Sequence, residues 1–149
     1  MLTQTAKYAF GALIYLAQKR DGGYCQTRDM AQQITVPGNY LGKTLQRLAQ
    51  GRIVDSQKGL HGGFRLARKP EQITLYDILI SIEAIPREIV TRPREEDLAS
   101  MPRVYAKFQE LSALHTHYLK TITLLDLLEP CTAQATEVVA ELAETQVSR

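Results

Sequence analysis

The chain has 149 residues, 44% apolar and 23% charged, a composition for one globular domain with room for an appended piece. It contains no run of about 18 apolar residues to cross a membrane, and its start lacks the charged, apolar and small-residue succession of a secretion signal, so a cytoplasmic protein is expected. The formal net charge of +2 is unevenly divided: residues 1–70 hold eleven Lys and Arg against three Asp, a net of +8, and residues 71–149 hold seven against thirteen acids, a net of −6, so the first half suits a polyanion and the second suits solvent or a protein partner.

Residues 3–18 distribute Ala6, Tyr8, Ala9, Phe10, Ala12, Leu13, Ile14, Leu16 and Ala17 around most of a helix, with Thr3 as its cap and Asp21-Gly22-Gly23 as its stop. Such a helix is largely buried. Thr27 is expected to cap a short second helix that turns Met30, Ala31 and Ile34 inward and keeps Asp29 in its first turn, where the helix dipole favours an acid. Thr35-Val36-Pro37-Gly38 breaks the period, and Asn39 is expected to cap a third helix with Leu41, Leu45 and Leu48 as its buried stripe. Two helices joined by a short turn make a helix-turn-helix. The opposite face of the third helix carries Tyr40, Lys43, Gln46 and Arg47. Lys and Arg reach guanine edges or phosphates and Gln reads adenine, while Gly42 would let the helix backbone approach a duplex. A polar helix face is also simply solvated, and the helix alone leaves both readings open.

The next segment changes the balance. Gly51 is expected to stop the helix, residues 53–57 and 64–67 form two strands, and Lys58-Gly59-Leu60-His61-Gly62-Gly63 turns between them. Glycines there permit positive φ and close approach to a groove, beside Lys58, His61 and Arg65. A nucleotide-phosphate loop is the competitor, but no GxxxxGK[ST] is present and no helix opens after Gly63. The expected fold is mainly α with a small β-hairpin wing: a winged helix-turn-helix followed by a long dimerisation helix.

Thr74 is expected to cap a further helix with Leu75, Ile78, Leu79 and Ile82 inward, and residues 86–100 read as a loop rich in Pro, Arg and acids. The long helix runs from Pro102 to Lys120, with Val104, Phe108, Leu111, His115 and Tyr118 at three- and four-residue steps and Leu114 and Leu119 widening the stripe. Packing inside one subunit would cover that stripe. Pairing with a second copy is preferred, because a helix-turn-helix gains affinity and register by presenting two recognition helices. His115 and His117 lie on different faces without a carboxylate or Cys partner four residues on, so no metal site is expected and His115 reads as a half-buried interface residue. Thr123 is expected to cap a short helix, Pro130 to interrupt it, and residues 132–145 to form another amphipathic helix. The division is then residues 1–84 for DNA binding, 85–101 for a loop and 102–149 for dimerisation.

Leu2-Thr3 with Lys7-Tyr8-Ala9, Tyr40-Leu41 followed by Leu45, Leu48 and Ile53-Val54, the wing from Lys58-Gly59 to Gly62-Gly63-Phe64, and Ile122-Thr123-Leu124 with Asp126-Leu127-Leu128 occur in one order and spacing. Together they resemble the Rrf-two family of bacterial transcription regulators over residues 1–129, a family that includes the iron–sulfur cluster regulator and the nitric-oxide-sensing repressor. The resemblance implies a dimeric winged-helix DNA-binding protein in which a long helix of each subunit packs against its mate. It places Tyr40, Lys43 and Arg47 on the recognition helix, Lys58 and His61 on the wing, and Lys7 near the phosphate backbone. Well-studied members hold an iron–sulfur cluster with three cysteines in the loop that follows. Residues 85–101 contain no cysteine here; Met101, Pro102 and Tyr105 stand about where the family has its last cysteine and, in some members, a further ligand. Cys25 and Cys131 match no ligand position, so a cluster on the usual ligands is not expected and no cofactor is assigned.

The expectation is a homodimeric repressor of double-stranded DNA, with contacts from Lys7, Tyr40, Lys43, Gln46, Arg47, Lys58 and His61. No Ser/His/Asp or Cys/His set is recognisable, and Glu95-Glu96-Asp97 reads as a solvated loop, so an enzyme is not expected. Two other readings stay open: a winged-helix scaffold that docks an enzyme or regulator, and a thiol- or metal-responsive regulator using Cys25, Cys131 or the histidines. For the latter, only Arg28 lies close in sequence to Cys25 to lower its thiol pKa.

Overall fold

The computed structural model of the chain describes residues 3–19, 22–60, 62–84 and 101–129. The Thr3 hydroxyl accepts a hydrogen bond from the Ala6 amide at 3.2 Å and starts helix α1, Gln4–Gln18. Its Ala6, Ala9, Ala12, Leu13 and Leu16 are buried in the core. Helices α2, Thr27–Gln33, and α3, Gly38–Gln50, form the helix-turn-helix. Neither expected cap is used. Gln26 precedes α2, and Thr27 is already helical. Pro37, fixed near φ −64°, sets the entry to α3 and leaves Asn39 inside its first turn.

Helices α2 and α3 end alike, and so does α4, Leu75–Ser81. Thr35, Arg52 and Glu83 adopt φ near +55°, and the next amide closes on a carbonyl five residues back: Val36 to Ala31, Ile53 to Leu48 and Ala84 to Leu79, at 2.9–3.0 Å. Gly51 stops α3 as expected, at φ −75°, and the left-handed position falls to Arg52 after it. Its smallness has another use: a Cβ at Gly51 would overlap the Ser81 side chain of α4.

Strands β1, Val54–Gln57, and β2, Gly63–Leu66, pair antiparallel in the register Val54 to Leu66 and Gln57 to Gly63. A short 3-10 turn, Pro70–Gln72, leads to α4, whose start is a capping box between Thr74 and Asp77. Helix α5, Pro102–Thr121, begins with its expected proline and buries Leu119. The chain then returns to the core. Leu75 N–H donates to Ile122 O at 2.8 Å, Leu124 N–H donates to Ile73 O at 2.7 Å, and Leu124 is fully buried among Leu13, Leu41, Leu45, Leu48, Ile53 and Ile78. Thr123 does not cap a helix; residues 124–128 form turns. The Asp126 carboxylate accepts from the Thr123 amide and hydroxyl, each at 2.7 Å, and these bonds hold its pKa below the usual carboxylate value. The expected loop at 86–100, the helix at 132–145, Pro130 and Cys131 lie outside the described residues.

The two residues that close α3 should therefore respond in opposite directions. Gly51→Ala is expected to lower stability by about 1–3 kcal/mol through the clash with Ser81, and Arg52→Gly to raise it by about 0.5–1 kcal/mol by relieving a left-handed non-glycine residue. Urea unfolding of both variants checks this; the same sign for both would contradict it.

Candidate nucleic-acid interface

Helix α3 separates its residues cleanly. Leu41, Thr44, Leu45 and Leu48 are buried, and Tyr40, Lys43, Gln46 and Arg47 are exposed. The buried Thr44 hydroxyl donates to the Tyr40 carbonyl at 3.0 Å, so no polar group is left unsatisfied beneath the exposed face. Tyr40, Lys43, Thr44 and Arg47 line a cleft of about 350 Å³ with Gln4, Thr5 and Tyr8 of α1. Two cations and two phenols meet there without an acid. Gln46 is exposed on the same helix but does not line the cleft, and Lys7 is exposed on the first turns of α1 without lining it either.

Gln4 and Thr5 were not among the expected contacts, and Tyr8 was assigned to the core. Tyr8 does both, half-buried against the core and open to the cleft. The signal for this was present: Gln4 and Tyr8, four residues apart, share one face of α1.

The wing is built from backbone constraints. Gly59 takes φ +107°, and its carbonyl accepts from the Gly62 amide at 3.0 Å to close the turn. A Cβ at Gly62 would overlap the Gln57 carbonyl, and one at Gly63 would overlap the Cys25 carbonyl. Cys25 and Phe64 exchange amide-to-carbonyl bonds of 2.8 and 2.9 Å, so the segment before α2 pairs with β2. The Gln26 side-chain amide donates to the Leu60 carbonyl at 3.0 Å and holds the tip. Lys58 is exposed beside that tip, and His61 lies outside the described residues. Arg65, expected as a positive or donor group beside the turn, is exposed while it pairs with Asp55 at 3.4 Å and covers the Tyr24 ring at 4.8 Å.

Gly42 was expected to face a duplex, but its nearest contact is Thr27 of α2, where an added Cβ would meet ordinary packing at 3.9 Å. Cys25 is 3% exposed and sits in the bridge to the wing instead of an open turn, which shields its thiol from oxidants. Among the described residues no three His, Cys, Asp or Glu side chains converge to hold a metal. On α5, Val104, Phe108, Leu111, His115 and Tyr118 are all exposed in the single chain, so His115 is not half-buried within it. Leu111 and Phe108, 61% and 63% exposed, line a shallow apolar depression with Arg103, Val104 and Lys107.

A helix-turn-helix with a cationic outer face, followed by a glycine-built hairpin on the same core, defines a winged helix-turn-helix DNA-binding protein. The profile described as an iron-dependent transcriptional regulator, Rrf2, matches residues 2–130, and the chain belongs to the Rrf2 family. It is 33% identical over 129 residues to a protein of Synechocystis sp. assigned as an HTH-type transcriptional regulator, covering 85% of this chain and 86% of that one. It is 32% identical over 82 residues to the HTH-type transcriptional regulator NsrR of Bacillus subtilis, covering 55% of this chain and 56% of that one. The structure of CymR, the global cysteine regulator of B. subtilis, superposes with a TM-score of 0.64 at 25% identity, covering 86% of this chain and 95% of that one. The chain is a DNA-binding transcriptional regulator and not an enzyme. No helix among the described residues is long and apolar enough to cross a membrane.

Because Gln26 ties the wing tip to the helix-turn-helix, Gln26→Ala should speed hydrogen exchange of the Gly62 amide severalfold and leave the α1 and α3 core amides unchanged. Unchanged exchange at Gly62 would show that the tip is held by other contacts.

Proposed function

We propose that the chain acts in the cytoplasm as a homodimeric repressor, with α3 in the major groove, the wing in the adjacent minor groove, and no conventional iron–sulfur cluster. The observation that carries this reading is the acid-free cleft where Tyr40, Lys43 and Arg47 of α3 meet Gln4, Thr5 and Tyr8 of α1. A groove-bound α3 presents Lys43, Gln46 and Arg47 to base edges, with Tyr40 packing on the sugar–phosphate wall; Lys7 neutralises a phosphate, and Lys58 and His61 serve the wing. Repression then follows from occupancy, since a dimer lying across a promoter obstructs polymerase without a further contact surface.

The stripe on α5 supports the dimer. Val104, Phe108, Leu111, Leu114 and Tyr118 are between 48% and 68% exposed along a helix roughly 30 Å long. A second α5 with His115 at the seam removes this surface from water and sets two recognition helices at a fixed spacing. The donor set supports the third part. The chain has only Cys25 and Cys131, and Cys25 is enclosed in the wing bridge, whereas cluster ligation needs several accessible thiolates. These residues do not fit a conventional cluster, which leaves the regulator either another signal or none.

Lys43→Ala or Arg47→Ala should relax base preference, costing about 1–3 kcal/mol on the selected site and much less on random duplex. Lys7→Ala should weaken both alike and lower the salt slope by about one. Fluorescence anisotropy at two salt concentrations separates these patterns; equal losses for all three variants on both duplexes would contradict the assignment. Leu111→Asp should convert a dimer to a monomer in analytical ultracentrifugation and reduce site affinity by at least tenfold, and a variant that remains dimeric would remove α5 from the interface. Protein purified without oxygen should be colourless, with iron well below one atom per chain, and bound stoichiometric iron would overturn the third part.

A further inference from the structure

The tip of the wing carries a residue that the contacts assigned above leave unused. Leu60 is 83% exposed, more than any other large apolar residue described. Its place is not loosely held. Its carbonyl accepts from Gln26, Gly59 is left-handed, and Gly62 closes under Gln57 where no Cβ would fit, so the backbone keeps the tip extended from the core. The side chain is clear of the core, and Lys58, two residues before it, is exposed as well.

Two partners could cover such a leucine. A protein interface centres on a contiguous apolar patch and depletes lysine from that centre. Leu60 is a single leucine between Lys58-Gly59 and His61-Gly62, a setting that suits a polyanion. A glycine-rich hairpin tip also suits the narrow minor groove, where proteins insert apolar wedges between base steps and anchor them with flanking cations.

Building on the reading of α3 and the wing as the DNA-binding face, we propose that Leu60 is an intercalating wedge: it enters the minor groove beside the α3 contact, partly unstacks one base step in each half-site, and bends the duplex. Lys58 holds the flanking phosphate during insertion, and the Gln26 bond prevents the tip from folding back. The wedge favours flexible pyrimidine–purine steps, so Leu60 adds a preference at a position where no base edge is read.

The test uses the full-length chain and duplexes that it enriches from a randomised library. With 2-aminopurine placed at successive steps, wild-type protein should raise fluorescence at one step per half-site, and end-label energy transfer should report a bend. Leu60→Ala should lose both signals and about tenfold in affinity for the enriched duplex while keeping its affinity for random duplex, and Leu60→Met should retain both signals. Wild-type binding without unstacking at any step, or a Leu60→Ala variant with unchanged fluorescence and bend, would overturn the wedge and leave the DNA-binding face intact. Enrichment of no sequence would overturn the wedge together with that reading. Loss of both signals by Leu60→Met as well as by Leu60→Ala would also count against an apolar insertion.

Discussion

The arrangement depends on two hydrogen bonds, those that Cys25 and Phe64 exchange across the approach to α2. Two-stranded hairpins are marginally stable in water when isolated. Here the segment before the helix-turn-helix pairs with β2, so the wing is attached to the element it must accompany. The contact demands that Gly63 have no side chain, because a Cβ would occupy the Cys25 carbonyl. It also explains why Cys25 is buried: its side chain fills the junction, and its sulfur is a small apolar packing group there. Gln26, the next residue, reaches the Leu60 carbonyl, so consecutive residues hold the start of β2 and the tip of the wing.

A second constraint connects the recognition helix to the rest. Leu41, Leu45 and Leu48 of α3 share a core with Leu13 of α1, Ile78 of α4 and Leu124, which follows α5. The core therefore includes a residue from beyond α5. Leu124 is drawn in by its amide bond to the Ile73 carbonyl and by the neighbouring bond from Leu75 to Ile122, and Lys120 of α5 covers the Tyr76 ring of α4 at 4.9 Å. A change in how α5 sits would be felt at α4, and through Gly51 against Ser81 at the end of α3. This is a physical connection, made by packing, between the apolar stripe and α3.

Much of this was legible from residue order. The three-to-four spacing of Leu41, Leu45 and Leu48 fixes which face of α3 is buried and hence which face carries Lys43 and Arg47. The glycine-rich turn of the wing and the caps at Thr3 and Thr74 have local causes that sequence displays, whereas Gly63 is also demanded by the distant Cys25 carbonyl. What escaped has non-local causes. Thr27 and Asn39 are good capping residues, but the chain enters the two helices earlier, one residue before Thr27 at Gln26 and two before Asn39 at Pro37. Gly51 reads as a stop, whereas its need arises from Ser81, thirty residues on. Arg65 reads as a positive group beside the turn, and nothing near it in sequence reveals Tyr24 and the cross-strand Asp55. Gln4 and Thr5 are unremarkable polar residues until α1 crosses α3.

The central claim is that α3 and the wing read neighbouring grooves of one duplex, twice. Methylation interference on an enriched duplex tests it most directly, because guanine N7 lies in the major groove and adenine N3 in the minor groove. The account predicts paired clusters, guanine N7 positions flanked by adenine N3 positions, repeated with two-fold symmetry about one helical turn or a multiple apart. Interference confined to one groove, or a single unsymmetric cluster, would contradict it.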